Sequence, residues 1–200
     1  DEVLRTEALG KMAEMKAISY KLLGKAETGI DPCEIVVGIS PAFGSKIFRT
    51  LAGHKLSSVL KALQTGIIKG GAVMRLVKFW HTADTSFLGL SAARLSGSGI
   101  GIGIQAKGTA VIHHRSRLPH NNLELFSNAP ITKISHYEKM GYNAARYCLK
   151  ELPDPVVVPT RGEALGARFH ARVALIYAIE TSMTKDNASP ELLDFAFLKA

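Results

Sequence analysis

Apolar residues in this chain recur in two rhythms, one suited to strands and one to helices. Glu34 to Ile39 and Ala72 to Trp80 are short, nearly continuous apolar runs of the kind a buried strand needs. Leu56 to Ile68 and Thr85 to Leu95 carry helical spacing, and Gly70-Gly71 stops the first of them. Between them, Ser40-Pro41-Ala42-Phe43-Gly44 turns into a helix expected through Leu51 and Gly53. The alternation of strand and helix predicts an α/β fold, a parallel sheet flanked by helices. Further along, Leu123 to Phe126 is a short apolar segment, and Ser135 to Lys150 is predicted as a helix with Ser135 as its cap and Glu138 three residues on. The proline-rich stretch over 152–166 reads as an extended surface connector. Helices follow over Ala167 to Thr181 and Pro190 to Leu198. At the other end, Leu4, Leu9, Met12, Met15, Ile18, Leu22 and Leu23 predict an amphipathic helix over 1–25. The expected division is an appended helix and linker over 1–33 and a domain over 34–200 with helices at its C-terminal end.

One segment follows the strand rhythm with glycine in place of side chains. In LSGSGIGIGIQAKGT (95–109), glycines occupy 97, 99, 101 and 103, with Ser98, Ile100 and Ile102 between them and Ile104 after, and the strand is expected to run on through Thr109 to Ile112. A bare strand face means close approach of something flat or bulky, either a tightly packed helix or a ligand edge. Pattern alone leaves both open. It excludes two phosphate-binding motifs. The dinucleotide fingerprint needs a glycine three residues after the second one, where Ile102 and Ile104 stand, and no GxxxxGK[ST] occurs.

Composition narrows the rest. Two hundred residues with 46% hydrophobic and 21% charged side chains describe an ordinary globular chain, and no apolar run is long enough to span a bilayer. The first residues lack the layout of a secretory signal, so a cytoplasmic protein is expected. Cys33 and Cys148 sit in no metal-ligand pattern and are expected as free thiols, and no HExxH or comparable spacing points to a metal. Net charge is +8, but the basic residues are dispersed, and the densest patch, His113 to Arg117, reads as a solvated loop rather than a nucleic-acid site. No GxSxG elbow or carboxylate pair marks a catalytic centre. Asp84 follows a strand, where it either binds a ligand or caps the next helix. Lys107, at another strand end, is either a surface lysine or a partner for a phosphate or amide.

Several segments together resemble one family. GISPAFG (38–44), the glycine strand through Thr109, VIHH (111–114), NLELFSNAP (122–130) and GYNAARY (141–147) are similar, in order and spacing, to the medium (β) subunit of adenosylcobalamin-dependent diol and glycerol dehydratases. The resemblance runs from about Glu34 to Thr181. It implies a Rossmann-like fold and a place beside large and small subunits in a dimer of heterotrimers, with a reactivating factor as a further partner. The large subunit would convert a 1,2-diol or glycerol to an aldehyde. This chain would contribute no catalytic residue but would receive the nucleotide loop of adenosylcobalamin (coenzyme B12). Carried over by motif, Asp84, Lys107, Thr109 and Asn122 match cofactor-contacting positions. Ser127 stands where the family usually has a proline lining the base pocket. Phe169 replaces a tyrosine, and Leu165 to Arg168 differ from the usual Ala-Arg-Pro-Lys. In this light the bare glycine face is expected to take the nucleotide tail. Residues 1–28 become a candidate tag for a bacterial microcompartment. The alternative is the small chaperone-like subunit of a dehydratase-reactivating factor, which shares the fold and is not an enzyme.

Overall fold

A computed structural model describes residues 20–159 and 165–195. At its centre lies β2 (Glu34–Ile39), buried at every position, with parallel neighbours β3 (Val73–Lys78) and β4 (Ile100–Ile104). Outside these three the sheet is antiparallel. β5 (Ala110–His114) folds back on β4, and β6 (Glu124–Phe126) on β5. On the other side β7 (Glu191–Phe195) pairs with β3 and β1 (Tyr20–Lys25) pairs with β7. The sheet is thus seven-stranded and mixed, in the order β1-β7-β3-β2-β4-β5-β6. The parallel sheet expected from the strand–helix alternation is corrected to a parallel core with antiparallel flanks.

Two helices, α1 (Leu56–Lys69) and α3 (Ile134–Cys148), pack on one face, and α2 (Thr85–Leu95) covers the other. Strand periodicity sorts the core between them. Ile35, Val37, Ile39, Ile100, Ile102 and Ile104 face α1 and α3, whereas Val36, Val77 and Phe79 join Leu88 and Ala92 of α2. The helix α4 (Leu165–Ser182) follows the connector, which forms neither helix nor strand over residues 151–159. Among the described residues no helix is long and apolar enough to cross a membrane.

The glycine face belongs to α2. A Cβ on Gly101 would collide with the backbone of Ala92 and Ala93, and one on Gly103 with that of Gly89 and Thr85. Gly89 reciprocates, since a Cβ there would strike Val111. Strand and helix backbones therefore lie against each other with no room for side chains between them. The expectation that this face takes a cofactor's tail is corrected: the tightly packed helix occupies it. Gly97 and Gly99 precede the strand, in the turn that enters it.

Four further expectations change. The glycine strand does not continue to Ile112 but turns at Gln105–Thr109 and returns as β5. No helix forms over residues 44–53, because other partners claim the backbone there. Leu51 N–H donates across to Lys107 O, and Gly44 and Thr50 N–H donate forward along the chain, to Ile47 O and His54 O, opposite to the direction of helical bonds. The helices expected at the two ends are strands where described. Leu192 and Leu193 alternate across the sheet and saturate the otherwise open edge of β3, and β1 then pairs with β7, so the helix expected over 1–25 does not include Tyr20–Lys25. Residues 1–19, with the remainder of that expected helix, lie outside the described residues. The α3 cap differs too. His136 Nδ1 accepts the Lys133 N–H at 3.1 Å, while Glu138 pairs with Lys69 across to α1.

Candidate functional site

The C-terminal ends of the three parallel strands converge on one edge of the sheet, where open α/β sheets place their ligand groups. Ser40 follows β2, Asp84 follows the end of β3, and the Gln105–Thr109 turn follows β4. The turn is closed by Gln105 N–H to Thr109 O and Gly108 N–H to Gln105 O, both 2.9 Å. Gly108 takes a φ of +105°, and a Cβ there would meet the Tyr137 hydroxyl, which instead donates to Gly108 O at 2.8 Å. Gln105 Nε2 donates to Ala83 O at the entrance of α2. Every one of these anchors uses something other than the Lys107 side chain.

The strongest anchor comes from α4. The Glu180 carboxylate is 2% exposed. Its Oε1 accepts Ala106 N–H at 3.0 Å and its Oε2 accepts Ala42 N–H at 2.8 Å. The Ser40 hydroxyl donates to Oε1 and accepts in turn from Ala106 N–H at 3.2 Å. A buried carboxylate is tolerable only with such a set of donors. Neither Glu180 nor Ser40 was visible as a functional residue in the motifs. The one available signal is that Glu180 is the single acidic residue of its helix and follows the apolar run Val173–Ile179.

Beside this turn lies a cleft of about 230 Å³. It is lined by Lys107 and Thr109 of the turn, by Ser127 just after β6, by Phe169 and Val173 of α4, and by Leu51. Four residues singled out in the sequence thus meet from three separate segments. Lys107 is half-buried. Burial pulls its pKa below the ordinary lysine value, and the Asp84 carboxylate opposes that fall. Asp84 itself is exposed and outside the cleft lining. Its Oδ1 accepts from Ser86 N–H at 2.8 Å and Phe87 N–H at 3.1 Å, capping α2. Asn122 is not brought to the cleft. Because Glu124 pairs with Ile112, the register carries Asn122 to the level of His114 at the far end of β5, about 13 Å along the strand from Ala110. Its Oδ1 is buried without a partner, as is Gln105 Oε1 within the turn.

A second polar centre lies nearby. Lys78, at the end of β3, is 2% exposed and donates from Nζ to the Tyr20 hydroxyl at 2.8 Å. The ammonium sits 5.1 Å and 5.0 Å from the Tyr20 and Trp80 ring centroids. Burial brings its pKa down to about 8, against the pull of Glu191 and Glu180.

Comparison with known proteins adds three findings. A family model described as dehydratase medium subunit matches residues 40–154, a span that holds Ser40, Asp84, Lys107, Thr109, Asn122 and Ser127. Among solved structures, a glycerol dehydratase reactivase is similar at 19% identity and a TM-score of 0.49, covering 66% of this chain and 97% of its own. A diol dehydratase-reactivating factor complexed with ADP and Mg2+ is similar at 18% identity and a TM-score of 0.44, over 62% of this chain and 96% of its own.

Proposed function

The chain belongs to the dehydratase medium subunit family, and from that premise we propose that it is the medium subunit of an adenosylcobalamin-dependent diol or glycerol dehydratase. In this reading it holds the lower-face nucleotide loop of the cofactor. A large subunit, assembled with it and a small subunit as a dimer of heterotrimers, converts a 1,2-diol or glycerol to an aldehyde and water. Bound cobalamin supplies the radical chemistry. The residues of this chain bind and orient it.

The observation that carries the reading is the convergence of Lys107, Thr109, Ser127 and Phe169 on one cleft. A nucleotide tail offers a flat apolar base and one phosphate, and the cleft pairs an apolar wall of Phe169, Val173 and Leu51 with a lysine and two hydroxyl side chains. The residues present therefore fit the group, at the rim of the sheet rather than on its glycine face. Ser127 offers a hydroxyl where the family's proline offers only an apolar wall, and Phe169 offers a ring without the tyrosine hydroxyl. Asp84 contributes through the field it places on Lys107. Asn122 enters the reading on the resemblance and on its unpartnered Oδ1.

Exposed apolar side chains support work within an assembly. Leu175 and Tyr177 on α4 are 63% and 52% exposed, and Leu22 and Leu23 of β1 are likewise uncovered. The test is co-expression with the large and small subunits. A complex that binds cobalamin, seen in its absorption spectrum, and forms aldehyde only with adenosylcobalamin supports the reading. A complex that assembles but leaves cobalamin unbound overturns it. Location within a microcompartment is a separate part of the proposal. Its test is deletion of residues 1–19, stopping short of β1, and unchanged encapsulation would dispose of it.

A further inference from the structure

Cys33 and Cys148 are far apart in sequence and adjacent in the fold. Both are free, half-buried thiols. Cys148 ends α3, and its Sγ–H donates to the Pro32 carbonyl at 3.1 Å. That carbonyl carbon is bonded to the nitrogen of Cys33, so covalent geometry puts the Cys33 Cα within about 6 Å of Cys148 Sγ. With the Cys148 Cα about 2.8 Å from its own Sγ, the two Cα atoms are at most about 9 Å apart, against up to about 7 Å in disulfide-linked pairs, so bridging takes side-chain rotation and no more than about 2 Å of backbone movement at the end of α3. The Cys33 backbone is fixed meanwhile. Its N–H donates to Asp31 Oδ1 at 2.8 Å, and its carbonyl accepts from Val73 N–H at 2.9 Å.

We propose that Cys33 and Cys148 form a modification site, a dithiol that a hydroperoxide converts to an intramolecular disulfide tying the end of α3 to the entrance of β2. The cleft by Lys107 plays no part in it. Burial raises the pKa of Cys148, the Ser98 hydroxyl lowers it, and the neighbouring Cys33 and Asp31 raise it again. Cys148, its proton also committed to Pro32 O, is therefore the resolving thiol, and Cys33 reacts first. The Cys33 sulfur, as thiolate, attacks the peroxide oxygen. The O–O bond breaks, an alkoxide leaves and takes up the thiol proton as alcohol, and Cys33 becomes a sulfenic acid. The Cys148 sulfur then forms the S–S bond and displaces hydroxide, which leaves as water with the Cys148 proton. Two thiols give up two electrons, and one peroxide is reduced.

The experiment treats the reduced full chain with hydrogen peroxide, then alkylates the remaining thiols and maps the peptides. The expected result is loss of both alkylation sites together, a mass lower by about 2 Da, and a Cys33–Cys148 linked peptide in the monomer fraction. C148S should instead accumulate a sulfenic acid at Cys33 that a dimedone probe captures. Oxidation of either thiol while the other still alkylates in full would overturn the proposal. So would a linked peptide confined to covalent dimers. Two thiols left intact at a peroxide dose that oxidises them in the urea-unfolded chain would do the same.

Discussion

The Glu180 carboxylate accepts the Ala106 backbone N–H at 3.0 Å, so the last turns of α4 hold the loop that presents Lys107. The same helix supplies Phe169 and Val173 to the opposite wall of the cleft. Cleft width is therefore set by one buried hydrogen-bonding centre that also takes in Ser40 and Ala42.

Replacing Glu180 with Gln tests this clamp. Both carboxylate oxygens face donors, and an amide must turn an N–H toward one of them. With the nitrogen at the Oε1 position, Ala42 N–H keeps its acceptor but Ala106 N–H keeps only its longer bond to the Ser40 hydroxyl, and losing one charge-assisted hydrogen bond costs roughly 1.5–3 kcal/mol. The expected outcome is a lower urea midpoint and weaker cobalamin binding in the assembled complex. E180Q with unchanged stability would show that the carboxylate does not hold the turn.

Lys107 should behave in the opposite way. The turn is held by backbone groups and by other side chains, so Lys107→Met leaves stability within about 0.5 kcal/mol. It removes the cation of the cleft, and one charge-assisted hydrogen bond is worth roughly 1.5–3 kcal/mol, so cobalamin affinity should fall by about tenfold or more. Titration of the assembled complex, followed in the cobalamin spectrum, measures the difference. Equal affinity in K107M and the parent would remove Lys107 from the binding site.

Gly103→Ala separates the two readings of the glycine strand. A methyl group there intrudes on the α2 backbone, and overpacking of this kind costs about 3 kcal/mol. The substitution should lower the melting temperature of the chain with no cofactor present. A stable G103A chain that fails only in cobalamin binding would mean that a ligand, not α2, uses that face.

The parts of this fold that were legible in the sequence are those where local pattern and tertiary packing agree. The continuous apolar run of β2 and the helical spacing of Thr85 to Leu95 point to the same element at both levels. The glycine alternation correctly signalled close approach, but pattern carries no information about what approaches, and the family resemblance favoured the wrong partner. The edges were illegible for a different reason. Leu192 and Leu193 suit either period over so short a run, and only the unsatisfied edge of β3 decides between them. Glu180 was missed because a lone carboxylate on a helix acquires its donors from Ser40, Ala42 and Ala106, all distant in sequence.

The last prediction concerns pH. Lys78 has a folded pKa of about 8 against an ordinary 10.5, so between these values the unfolded chain binds a proton that the native chain has lost. Stability from this group therefore rises with pH across that window, by about 3 kcal/mol in full. Tyr20, its hydrogen-bond partner, acts in the other direction. Burial, reinforced by Glu191, raises its pKa from 10.0 to about 12, so above pH 10 the native chain keeps a proton the unfolded chain sheds, and stability falls. The expected profile climbs from about pH 8 toward pH 10 and declines beyond it. Lys78→Met removes the Lys78 share of the climb, leaving what Lys107 contributes, and retains the decline. Urea unfolding of both proteins across this range isolates the lysine as their difference, and parallel profiles would show that Lys78 titrates as an ordinary lysine.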